Sequence, residues 1–435
     1  MGQLTKLHKC IIIFVPKFGD FQNYTAFLQN HNYERLSKRR IPMGEYSKFI
    51  SEKRRSVPTP KDMVTDGKCV FGTFDKEFET MDMLHIKNPT ASSEKLNYLK
   101  YTCWEAAEVN FDEGIVLTAC SDMGIYGAIL TIFYDKRTKK TTTWSYQMDR
   151  TDVKMADNLL DGAVSEAETA GAKVRFVNNF QEGKAYVEAK VESEEGTLEV
   201  SVELSRVSLP SVVSIPFEDP AVRHRPLYTQ KDLFSVTGSI IVNGETFQAN
   251  EKTTAIIDDH KGYYPDAAHY DWLTTMGVHN ADGKDKWLAF NLTRNQSINQ
   301  DDYNENLIWF ENATSLLPPV TFKRSVPTME FKDYALWEAK DEHGMVDVKF
   351  HVYGVSNLVA KKPPVIDMEY FVVFGELEGY ILDEDGNKFV LDGMIGIGED
   401  KSITVNAEKY YTLMKVLGTV KKIKGFFGRL TGKKD

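Results

Sequence analysis

The chain has 435 residues, 42% of them hydrophobic and 12% aromatic, which is enough apolar mass for two domains with separate cores and excludes wholesale disorder. Its 53 Lys and Arg against 63 Asp and Glu leave a net charge of −10, so most of the surface repels phosphate backbones and nucleic acid is not expected as a partner. The four cysteines, Cys10, Cys69, Cys103 and Cys120, have no CxxC spacing, which favours reduced core thiols in an intracellular, cytoplasmic protein over a disulfide framework or a zinc site.

At the N-terminus, "CIIIFV" (10–15) is too short to span a bilayer and lacks a signal-peptide cleavage site, and "MGQLTK" has Lys6 where a myristoylation signal needs Ser or Thr. Sequons at Asn23, Asn291, Asn295 and Asn312 have no secretory route to serve and are read as chance. Residues 31–55 carry eight Lys and Arg against three Glu, and "VPTPKD" (57–62) reads as a linker, so residues 1–60 are expected to form a basic appendage.

The body is read as two β domains, 61–265 and 266–408. "ACSDMGIYGAIL" (119–130) brings Asp122, Tyr126 and Gly127 either to a ligand opening, with Tyr126 on its wall, or to a bulged turn. "AILTIFYDKRTKKTTTWSYQM" (128–148) reads as two strands joined by a basic loop. Period-two alternation marks strands in 184–191, 197–204 and 345–352, and hairpins are expected at Asn243-Gly244 and Asp385-Gly386, dipeptides that tolerate positive φ. Strand follows strand, which predicts antiparallel barrels rather than a doubly wound α/β fold. No P-loop or GxSxG occurs, and "GMIGIG" (393–398) has no helix behind it, so no cofactor is expected.

In 409–435, Leu413, Leu417, Val420, Ile423, Phe427 and Leu430 recur at steps of three or four, with Lys421, Lys422, Lys424 and Arg429 between them. This predicts a basic amphipathic helix, weakened by Gly418, Gly425 and Gly428, that either contacts an anionic membrane peripherally or docks on the protein itself.

The chemistry concentrates in "AIIDDHKGYYPDAAHYDW" (255–272). Asp258 is read as ending the apolar strand "TTAII" at a barrel seam, where burial would favour its neutral form and suit it to general-acid work; a close Lys261 would instead keep it ionised as a strut at the seam between the domains. Alternation sends Asp258 and His260 to one face and Asp259 and Lys261 to the other, and nothing fixes His269 within coordination reach, so no metal site is assigned. Tyr263, Tyr264, Trp272 and Trp287 are read as pocket aromatics or core, and Gly262 and Pro265 as turn formers at the seam. Of Asn291, Arg294, Asn304, Glu305 and Asn306, the bland reading is an outward polar loop; the functional one has Asn291 and Glu305 facing a pocket with Asp258.

The stretch 227–293, with Asp258, Lys261, Gly262, Tyr263, Pro265 and then Trp272 in a D-x-x-[RK]-G-Y-x-P core before an aromatic strand, resembles the domain of unknown function 2804 family. The similarity extends through 100–135, 304–323 and 372–396. The succession Tyr228, Gly238, Asp258 and Trp272 is distantly similar to that of two-barrel lipocalin-like proteins, which include carotenoid hydratase, tocopherol cyclase and decalin-forming Diels–Alderases. The resemblance implies an all-β pair of lipocalin-like antiparallel barrels or half-barrels packed together around an apolar pocket, to which the reading of the two ends adds helical N- and C-terminal appendages. The segment 396–413 departs from the family's acidic, Trp-bearing final strand, which puts a role for that strand in the pocket in doubt.

The expected function is binding of an apolar, isoprenoid- or lipid-like molecule. The alternatives are a hydratase, cyclase or isomerase with Asp258 as acid and Tyr263 as orienting donor, and a membrane-surface interaction protein. Trp272, Tyr264, Asn291, Glu305 and Tyr126 are the expected ligand contacts.

Overall fold

The computed structural model describes residues 50–217, 225–281, 284–310, 313–328 and 335–416. Most of the expected N-terminal appendage, and residues 417–435 of the segment expected to be a C-terminal helix, lie outside the described residues; 407–416 are helical.

Alternating apolar residues need one buried face per strand, and the chain meets that need with two curled antiparallel half-barrels. The described residues form one sheet of 15 strands, one of 10 and a small two-stranded one of Val64–Thr65 and Lys68–Cys69. In the first, Lys140–Met148, Gly127–Asp135, Gly114–Asp122 and Tyr101–Asn110 run side by side into Thr254–Tyr263, which pairs in turn with Arg225–Val242 and then Gly196–Arg206. In the second, Lys284–Arg294 lies beside Ala267–Ala281, followed by Ile395–Val405, Ile366–Leu382 and Val346–Lys362. The expected hairpins form, with Asn243, Gly244 and Gly386 at positive φ.

Each half-barrel has its own core. Ala185, Val187, Ala189 and Val191 pack with Leu198, Val200, Val202 and Leu204 in the first, and Val346, Val348, Phe350 and Val352 pack inside the second. A third cluster joins the sheets: Ile115, Leu117, Ile132 and Ile256 of the first meet Met276, Trp309 and Ile397 of the second. Tyr134 stacks on Phe374 across this seam, with ring centroids 5.0 Å apart and planes 8° apart. Arg54 adds a polar tie. Its guanidinium is buried and donates to Thr73 Oγ1 of the first sheet at 3.0 Å and to Asn304 Oδ1 and Asn306 O of the second at 2.9 and 2.6 Å.

Two expectations change here. Asp258 does not end a strand, because the apolar run continues as the polar half of one central strand, Thr254–Tyr263, hydrogen-bonded on both sides. Nor is Gly262 a turn former: it lies within that strand, where a Cβ would meet Pro226 O at 2.7 Å and Leu227 Cα at 2.9 Å. Its bareness lets two strands approach.

Candidate functional site

The central position of Thr254–Tyr263 sorts its side chains. Ala255, Ile257, Asp259 and Lys261 face the first half-barrel's interior, and Ile256, Asp258 and His260 face the seam. Register then decides the neighbours: Asp258 lies opposite Lys231 on one side and Ala106 on the other, and His260 lies between Thr229 and Trp104.

Lys231 is the hub of the resulting network. Its buried Nζ donates to Thr229 Oγ1 at 2.9 Å, His260 Nε2 at 2.8 Å and Glu305 Oε2 at 2.9 Å, and stands 3.3 Å from Asp258 Oδ1. An ammonium has three hydrogens. Three acceptors lie at 2.8–2.9 Å, and Asp258 Oδ1, at 3.3 Å, is the most distant of the four groups around the charge. Burial pushes the Asp258 carboxyl up to about 7, against the pull of Lys231 and helped by Glu305 and Glu399. Burial alone would lower the Lys231 ammonium, but Asp258 and Glu305 hold it above its ordinary value. Burial drives His260 well below the imidazole range, reinforced by Lys231, and the ring is therefore neutral. Because Lys231 donates to Nε2, we assign the ring hydrogen to Nδ1, which faces Tyr264 Oη at 3.2 Å. Tyr264 then keeps its own hydrogen for the cavity. Trp104 stacks on His260 with centroids 4.5 Å apart and planes 10° apart, fixing the ring's orientation.

The second sheet closes the other side. Its strand Ile395–Val405 lies between Ala267–Ala281 and Ile366–Leu382, which puts Lys401 opposite Tyr270 and Tyr370, and Glu399 opposite Trp272. Tyr370 Oη donates to Glu399, whose carboxyl burial raises while Tyr370 and Lys401 oppose the shift. Glu108, from the first sheet, is pushed well above the carboxylate range by burial and by Asp258. Together these walls enclose a cavity of about 120 Å³. That is far above the roughly 10–15 Å³ of such volume that one water occupies. A smaller cavity of about 60 Å³ adjoins it and shares Trp104, Met123, Tyr264, Tyr270 and Lys401.

Of the residues the sequence singled out, Asp258, Tyr264, Trp272 and Glu305 line the main cavity, and Tyr126 lines the smaller one with Pro265. Asn291 lies behind the wall: it accepts from Trp272 Nε1 at 2.6 Å and donates to Glu305 O at 2.9 Å. The polar stretch divides: Asn291, Asn304, Glu305 and Asn306 are buried at its two ends, where their amides bond strand ends and Arg54, whereas Arg294 is exposed and 295–303 form the half-buried to exposed loop expected between the strands. Tyr263 belongs to the opposite face of its strand; its hydroxyl donates to Met83 O at 3.2 Å, so it is no partner of Asp258. Lys261 likewise pairs with Asp259, not Asp258. The closing strand does reach the pocket, through Glu399 and Lys401, contrary to expectation.

Sequence reasoning missed Lys231, Glu108, Glu399 and Lys401. The available signal was charge inside otherwise apolar, strand-like runs, as in "LYTQKDLF".

His269, Asp271 and Asp400 come together outside the cavity, with ligand-type atoms within 4.8 Å of one another. The Arg324 guanidinium pairs with Asp271 and stands 3.5 Å from Asp400 Oδ2, so both carboxylates already have a cation beside them.

Among solved structures, the chain is similar to a putative AttH from Nitrosomonas europaea, at 13% identity and a TM-score of 0.42, over 70% of this chain and 92% of that one. It is also similar to kievitone hydratase from Nectria haematococca, at 11% identity and a TM-score of 0.38, over 70% of this chain and 89% of that one. No curated protein matches the chain. The family match, "Domain of unknown function (DUF2804)", runs over residues 54–404 and takes in both half-barrels and the seam between them, so the chain belongs to the DUF2804 family.

Proposed function

We propose that the seam cavity binds a small molecule with an apolar body and moves a proton to or from it, with Asp258 as the acid. The observation that carries this reading is the arrangement around Lys231. Thr229, His260 and Glu305 take the close positions around its ammonium at 2.8–2.9 Å, which leaves the largely buried Asp258 carboxyl facing the cavity with the cation at 3.3 Å. A carboxylate that serves only as a strut is held closely by a counter-ion of its own, as Asp259 is by Lys261 two residues away. A carboxyl titrating near neutrality beside an aromatic-walled cavity is suited to proton transfer at working pH.

The reaction class that fits is hydration of a carbon–carbon double bond, or its reverse. Asp258 gives its proton to one alkene carbon, a water oxygen bonds to the other, and the water's surplus proton returns to the Asp258 carboxylate. Tyr264, with its hydrogen free, orients the water or a polar group of the substrate.

The test begins with native mass spectrometry of the purified protein before and after organic extraction, to find a bound molecule. The extract is then incubated with extracted protein in heavy-oxygen water. Wild type is expected to give a product carrying one added labelled water, and Asp258→Asn to bind the same molecule without converting it. Equal conversion by wild type and Asp258→Asn overturns the assignment.

A further inference from the structure

The lysines that line the two cavities divide into two kinds. Lys231 and Lys100 each have a carboxylate partner, in Glu305 and Asp266 respectively. Lys401 does not: among the described residues no carboxylate comes within 4.0 Å of its Nζ, and no acceptor hydrogen-bonds it. Its ammonium is suspended between aromatic faces, 4.6 Å from the Tyr370 ring centroid, 5.6 Å from Tyr270 and 5.8 Å from Trp104. Those rings offset part of its lost hydration but supply none of the three acceptors it can use. Burial lowers its proton affinity, and Glu399 opposes the shift.

The position of this charge is as informative as its lack of a partner. Lys401 lines both cavities, so it stands between the polar chamber of Asp258 and Glu305 and the smaller, more apolar one. The walls of the latter include Leu99, Pro265, Ala268, Ile403 and Val405. An apolar slot with one unpaired cation at its inner end matches a molecule with an apolar chain and one negative end. Glu399 lies two residues before Lys401 on the same strand and lines the same chamber, so a doubly charged head such as a phosphate monoester would be repelled. One negative charge is favoured over two.

We infer that Lys401 is a specificity-determining residue and that the ligand of the seam is an amphiphile with a carboxylate head, its apolar chain in the slot lined by Ile403 and Val405. This deepens the reading above and rests on its claim that the seam holds an apolar-bodied molecule, but it does not depend on proton transfer by Asp258.

The test uses dodecanoate and 1-dodecanol as probes, with quenching of tryptophan fluorescence as the readout, since Trp104 lines both cavities. Wild type is expected to prefer dodecanoate. Lys401→Met, which keeps the length of the stem, should lose roughly tenfold or more of the dodecanoate affinity and leave dodecanol unchanged, the size expected for one charge-assisted hydrogen bond. Lys401→Arg should retain the preference, and it guards against misreading a variant that folds poorly. Equal affinity of wild type for the two probes, or equal weakening of both by Lys401→Met, overturns the carboxylate assignment and leaves the apolar-cavity reading standing. Binding of neither probe by wild type overturns both.

Discussion

Lys231→Met tests the network at its hub. Methionine keeps the apolar stem, so the change removes the ammonium and little else. Four groups lose their cation: Thr229, His260 and Glu305 lose a hydrogen bond each, and Asp258 loses a charge 3.3 Å away. Removing one partner of a buried ion pair is destabilising by about 3–5 kcal/mol, chiefly through the uncompensated charge left behind. Asp258 can shed its share of that penalty by taking up a proton. Its proton affinity, already raised by burial, stays above that of the unfolded chain, where Asp titrates near ~4, and loses the opposing pull of Lys231, so the folded variant gains on the unfolded one as pH falls. Urea unfolding of wild type and Lys231→Met at pH 8 and pH 5 should therefore show a midpoint difference that is large at the first and much smaller at the second, with unchanged slope. A loss under about 1 kcal/mol at pH 8, against the expectation for a broken buried pair, would refute the claim that Lys231 carries the seam's charge balance. So would a loss that ignores pH.

Two further outcomes are expected. Asp258 has a folded value of about 7, above its unfolded one, so its contribution is fully present at low pH and is lost as pH rises through the folded value; Asp258→Asn should flatten the stability profile of wild type in that window. Paired unfolding curves from pH 4 to pH 8 check this, and parallel profiles for the two proteins would count against the raised value. Gly262→Ala should be destabilising by roughly 1–3 kcal/mol, since the new methyl meets backbone atoms of Pro226 and Leu227 that cannot rotate away; a neutral result in thermal unfolding would mean the two strands separate easily.

The sequence by itself determined the strands, the hairpins and the sorting of faces around Asp258, because a pleated strand has a period of two whatever it packs against, and Asn-Gly and Asp-Gly carry their turn preference locally. It was enough to separate Asp258 and His260 from Asp259 and Lys261, and to place a pocket near Tyr264, Trp272 and Glu305. Partners were another matter. Lys231 is 27 residues from Asp258 in the chain and becomes its neighbour only through the register of Arg225–Val242 against Thr254–Tyr263. Glu399 and Lys401 reach the cavity because Ile395–Val405 inserts between two strands of the second sheet and that sheet packs on the first. Tyr263, next to Tyr264 in sequence, was carried to the opposite face by the same pleat that put Asp258 in the seam. Local preference is written in adjacent residues, whereas an ion's partner is chosen by which strands lie side by side, and only the packed sheets decide that.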